Sequence, residues 1–171
     1  QWKTNSIPVA GTPAAGQGGE TTIHAKETRL TLTLLEDTPR GKFMAYVEGD
    51  FFGDNTTVRI RHAYGEYGEF LGGQTWTTFM DISARPRSLD YEGPDGEIFV
   101  RQAMIRWTKP LSENLKFAVA VEQPGGQFAI PDTLDGSARS NIPDIPAYLR
   151  YEGSRGHVQL AAIARQIRFD G

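Results

Sequence analysis

From residue 21 onward, apolar and polar positions alternate with a period of two, the pattern of strands that bury one face. Leu30, Leu32 and Leu34 alternate with Arg29, Thr31 and Thr33; Phe43, Ala45 and Val47 alternate with Met44, Tyr46, Glu48 and Asp50. Val58 and Ile60 alternate with Arg59 and Arg61. Downstream, Ala103, Ile105 and Trp107 oppose Gln102, Met104 and Arg106, while Leu115, Phe117, Val119 and Val121 oppose Lys116, Ala118, Ala120 and Glu122. Ala147, Leu149 and Tyr151 oppose Tyr148, Arg150 and Glu152. The pattern predicts strands near 21–36, 42–51, 57–67, 69–77, 98–108, 114–123, 146–152 and 157–168. In the last of these, Val158, Leu160, Ala162 and Ala164 compete with Ile163 and Ile167 for the apolar phase, which leaves its facing open.

The connections fall into two classes. Segments 36–41, 65–68, 109–114 and 152–156 are short and rich in the Pro, Gly, Asn and Asp of tight reversals. Alternating with them are the reversal at 53–56 and two long stretches, 78–97 and 124–145. Short turns at one end, long loops at the other and strands of about ten residues make up the layout of an up-and-down transmembrane β-barrel. A soluble β-sandwich can share that layout, so a soluble binding or adhesion module stays open at this point.

The polar face bears on the choice. It carries full charges (Arg29, Arg59, Arg61, Lys116 and Arg150 with Glu48, Asp50 and Glu122), and a closed, dry interior could not hold them unpaired. They must face bulk water or a wide wet lumen. Phe43, Phe51, Tyr64, Phe70, Trp76, Trp107 and Tyr151 fall near strand ends, where membrane-interface girdles place aromatic rings. The chain has 171 residues, enough for one domain, and its net charge of −3 gives no basic footprint for nucleic acid. With no cysteine, disulfide scaffolds, thiol catalysis and cysteine-ligated metals are excluded. Residues 1–20, dominated by Gly, Ala, Pro and Gln between positions 10 and 19, read as a loop; they have neither the layout of a secretory leader nor that of a phosphate loop.

Several words of the sequence point to a family. Val47-Glu48-Gly49-Asp50-Phe51-Phe52-Gly53, Arg59-Ile60-Arg61-His62-Ala63-Tyr64-Gly65-Glu66 and Gly73-Gln74-Thr75-Trp76-Thr77-Thr78-Phe79-Met80-Asp81 come first. Leu89-Asp90-Tyr91-Glu92-Gly93-Pro94, Val100-Arg101-Gln102, Tyr151-Glu152-Gly153 and Gly156-His157-Val158-Gln159-Leu160 follow in order. In these stretches, spread over about residues 21–168, the chain resembles the DcaP-like family of trimeric outer-membrane porins.

The resemblance implies an all-β, antiparallel up-and-down barrel of about sixteen strands in the Gram-negative outer membrane, passing small anionic solutes such as dicarboxylates. It implies outer-membrane lipid and lipopolysaccharide as surroundings and a homotrimer for the full-length form. On this reading residues 1–20 are an external loop, residues 21–171 are about half of a barrel (strands two to nine), and the family's periplasmic helical segment and closing strand are expected to lie elsewhere. The segment near 78–97, with Asp81, Asp90, Glu92, Asp95 and Glu97, resembles the porin loop that folds into the channel and narrows it. Facing it, Arg29, Arg59, Arg61, Arg106 and Arg150 are expected to form a cationic wall, because guanidinium forks hold carboxylates while staying hydrated enough to release them. The plainer reading is that these arginines only neutralise Glu48, Asp50 and Glu122.

No enzyme is expected, nor any cofactor. His24, His62 and His157 lie on different strands without metal-ligand spacing, and none of the seven serines sits in a Gly-x-Ser-x-Gly elbow, which disfavours an outer-membrane hydrolase.

Overall fold

A computed structural model describes residues 23–39, 41–85, 98–124 and 137–170. The alternating segments become β1 (Leu30–Thr38), β2 (Gly41–Asp50), β3 (Arg59–Tyr67), β4 (Phe70–Trp76), β5 (Arg101–Pro110) and β6 (Leu115–Glu122). After the short β7 (Ser137–Arg139) come β8 (Ile145–Gly153), β9 (Gly156–Ala164) and β10 (Arg168–Asp170). Eight of them form one sheet in the order β1-β2-β3-β4-β5-β6-β8-β9, antiparallel throughout. This is the up-and-down all-β arrangement expected from the sequence. Within the described residues the sheet is open, with β1 and β9 at its edges.

The two faces are opposites. On one, Leu30, Leu32, Leu34, Val47, Ile60, Val121, Leu149, Tyr151 and Val158 are bare, with Ile105 at 67% and Leu160 at 74% exposure. On the other, Glu48, Asp50, Arg61, Gln102 and Met104 are covered, and Glu122 is only 2% exposed. Each bare Leu, Ile or Val would forgo about 1.5–3 kcal/mol in water, and a continuous row of them far exceeds the apolar patches of soluble proteins. In hydrocarbon that cost vanishes. A sandwich would stack these side chains between two sheets. The second sheet among the described residues is only the pairing of β7 with β10, so the sandwich alternative fails.

Two irregularities tune the covered, inner face. Glu48 pairs with His62 and Gly49 with Ile60, so Arg61 is an extra residue on β3 without a counterpart on β2. That bulge turns two consecutive side chains, Arg61 and His62, to the same face, and both are buried. On β4, Gly73 has a φ of +132° and lies directly against Ala63 and Tyr64 of β3, an approach that only a residue without Cβ permits.

Some boundaries differ from expectation. β1 begins at Leu30 rather than 21, because residues 23–29 turn instead of pairing: Thr28 N donates to Ala25 O, and Phe51 N donates to Lys26 O. The last expected strand divides. β9 ends at Ala164, and Arg168–Asp170 leaves the sheet to pair with Ser137–Arg139. Its facing is settled by position: Val158, Leu160, Ala162 and Ala164 are on the bare face, and Ile163 lies on the inner side opposite Pro146. The expected loop over residues 1–20 lies outside the described residues.

Candidate functional site

The inner face of β2 and β3 is an ion-pair network fixed by strand register. Glu48 and Asp50, two apart on β2, share a face and meet the arginines of the neighbouring strand. Asp50 accepts from Arg59 Nε at 3.0 Å, from Arg59 Nη2 at 2.7 Å and from Arg61 Nη1 at 2.9 Å. Glu48 accepts from Arg61 Nε at 2.6 Å and from Tyr46 Oη at 2.8 Å, with Arg29 Nε at 3.9 Å. Three guanidiniums thus face two carboxylates, which leaves one surplus positive charge.

The chain leaving β4 crosses the inner face. Thr77 Oγ1 donates to Glu122 Oε2 at 2.6 Å, and Thr78 N donates to Glu122 Oε1 at 2.7 Å. Asp81 then reaches β8 and β9, accepting from Arg150 Nη1 at 2.8 Å and from His157 Nε2 at 2.8 Å. On the way the chain makes a turn, with Met80 N donating to Thr77 O at 3.1 Å and Phe79 N donating to Thr77 Oγ1 at 3.3 Å. Asp81 also accepts from Ser83 N at 3.1 Å and Ser83 Oγ at 2.6 Å, capping the 3₁₀ turn Ile82–Ala84. Arg150 Nη2 donates to Ser83 Oγ at 2.8 Å. Burial alone would raise the Asp81 carboxyl; the hydrogen bonds from Ser83, Arg150 and His157 outweigh it and hold the group well below the usual carboxylate range. Between this segment and β2–β4 lies a cavity of 450 Å³, lined by Tyr46, Glu48, Arg61, His62, Trp76 and Ile82 among others.

All five arginines singled out from the sequence face inward, and the structure gives each a carboxylate partner. Arg29, Arg59 and Arg61 share Glu48 and Asp50, Arg106 Nη2 lies 4.0 Å from Glu66, and Arg150 holds Asp81 and Glu152. The pairing of arginines with Glu48 and Asp50 is the plainer reading made concrete, but Glu122 departs from it. Thr77 and Thr78 donate to Glu122, while Arg165, hydrogen-bonded to Asp144, bears on Glu122 only through space. Of the five loop acids, Asp81 sits on the inner face, while Asp90, Glu92, Asp95 and Glu97 lie outside the described residues.

Sequence reasoning missed Arg101. Its guanidinium stacks 4.7 Å over Trp76, and its Nη1 is buried without a hydrogen-bond partner. Counting by twos from Gln102, Met104 and Arg106 assigns Arg101 to the outer face; at the strand end, opposite Trp76, that count stops applying. The histidines stand apart: His24 packs edge-on against Phe52, His62 Nδ1 lies 3.0 Å from Thr75 Oγ1, and His157 meets Asp81.

Comparison with known proteins accords with this geometry. The sequence matches the profile of the DcaP outer membrane protein family over residues 1–165. Among solved structures, the fold matches the crystal structure of the outer membrane channel DcaP of Acinetobacter baumannii with a TM-score of 0.75 and 24% identity. That match covers 85% of this chain and 42% of the channel's, so the chain spans less than half the length of that structure. Among curated proteins nothing matches. A bare apolar face, a charged inner face and a profile match over nearly the whole sequence agree: the chain belongs to the DcaP outer membrane protein family, whose place is the Gram-negative outer membrane.

Proposed function

We propose that the chain forms part of the wall of a passive diffusion channel for small anionic solutes such as dicarboxylates, and that no chemistry is performed there. The observation that carries this reading is the surplus of guanidinium on the inner face: Arg29, Arg59 and Arg61 against Glu48 and Asp50, with Arg101 stacked nearby. Arginines already held by carboxylates keep their geometry, and the excess charge attracts an anion without gripping it, as permeation requires. Residues 77–85, pinned across the inner face, support the reading of 78–97 as the narrowing loop, with Arg106 and Arg150 further along the same wall. Because hydrocarbon does not tolerate unpaired strand edges, β1 and β9 adjoin further strands in the membrane.

The test is to reconstitute the full-length channel in planar bilayers and measure its reversal potential across a potassium chloride gradient. Anion preference is expected, and it should weaken in Arg61→Gln. A clear cation preference would remove the proposal.

A further inference from the structure

The inner cavity carries a feature that a charged wall does not need. Five aromatic rings follow one another along it. Tyr64 lies 5.4 Å from Tyr46, Tyr46 lies 6.2 Å from His62, His62 lies 5.3 Å from Trp76, and Trp76 lies 4.4 Å from Phe99, measured between ring centroids. Guanidiniums flank the far end: Arg101 stands 4.7 Å over Trp76 and Arg85 stands 4.1 Å over Phe99. Membrane girdles do not account for this row, because girdle rings belong on the lipid-facing side of a barrel and these line an inner cavity.

We infer that this row is a stacking rail that selects, among small anions, those carrying a flat unsaturated ring beside the carboxylate. The inference rests on the channel reading above and narrows its solute class. A planar ring gains from offset or edge-to-face contact with each successive aromatic face, whereas a saturated ring of the same size gains only area burial. Its carboxylate meets guanidiniums at the same place, since Arg29, Arg61 and Arg85 line the same cavity. The rings are spaced closely enough that a solute can leave one as it engages the next, so selectivity does not require a trapping site.

The test uses the full-length channel in planar bilayers and compares benzoate with cyclohexanecarboxylate, which match in charge and nearly in size but not in ring character. The expected result is that benzoate half-blocks the chloride current at a concentration about two- to tenfold lower, the worth of one ring–ring contact. The ratio should fall toward one in Trp76→Leu and also in Phe99→Leu, so that a folding failure in one variant leaves the other to report. Equal block by the two acids in the unmodified channel overturns the rail while leaving an anion channel intact. Absence of anion preference with chloride alone would instead overturn the channel reading itself.

Discussion

Gly73 is the residue on which the packing of β3 against β4 turns. A methyl group there would run into Ala63 O and would lie 2.6 Å from Tyr64 Cα, at a φ of +132° that side chains rarely adopt. Gly72, its neighbour, has open space where its Cβ would go. Gly73→Ala is therefore expected to destabilise the folded sheet by about 1–3 kcal/mol, while Gly72→Ala leaves it unchanged. Heat-dependent mobility on gels, which separates folded from unfolded barrel, measures both. Equal melting of the two variants would show that β3 and β4 do not approach as described. Glu122 is a second such residue: truncating its carboxylate strands the Thr78 N–H and the Thr77 hydroxyl, where the inward segment leaves β4.

Among the elements, the inward segment is held at its far end chiefly by Asp81. In Asp81→Asn two charge-assisted bonds, from Arg150 and from His157, weaken together, each worth about 1.5–3 kcal/mol when made to a charged group. Larger open-channel noise is expected in single-channel recordings of that variant. The pH dependence follows from the lowered Asp81 pKa. A carboxyl depressed in the folded state contributes its full stabilisation above its unfolded value, near about 3.9, and loses it only as pH falls through the lower folded value. Noise in the unmodified channel should thus stay constant from about pH 7 to pH 5 and rise only below the ordinary carboxylate range; a rise near pH 6 would point to a different fastening.

How far the elements could be read from the sequence depends on how they are held. The eight long strands were legible because a period of two is imposed by the backbone itself, and a face that must stay apolar along its length leaves that period intact. The inward direction of Arg29, Arg59, Arg61, Arg106 and Arg150 followed from the same count. What broke the count was local. The β3 bulge puts His62 beside Arg61 on one face, and its trace is only the shift of small and apolar positions from Val58 and Ile60 to Ala63 and Gly65. β7 and β10 are three residues each, too short for any period, and Arg101 owes its place to Trp76 rather than to alternation. The partners of Asp81 on β8 and β9 lie 69 and 76 positions away, a separation that no local pattern encodes.

Taken whole, the molecule is inside out relative to a soluble protein: its ionic groups fasten to one another on the covered side, and its leucines and valines are bare. Ile105, midway along β5 and 67% exposed, tests this directly. In a water-soluble domain, Ile105→Arg at so exposed a position would cost almost nothing. Facing lipid, it is expected to cost about 2–4 kcal/mol if it lies near the bilayer midplane. Reversible unfolding of the full-length protein in phospholipid vesicles gives that number, and a neutral result would remove the lipid-facing assignment.

The unmatched position at Arg61 has a consequence for how such walls diversify. Excising that one amino acid would leave His62 opposite Glu48 and Ile60 opposite Gly49, so the ladder would close up with no strand shifted and no face exchanged. A length change of a single codon at this place could therefore add or delete a guanidinium as a module, altering the channel's electrical character while the surrounding architecture stays as it was.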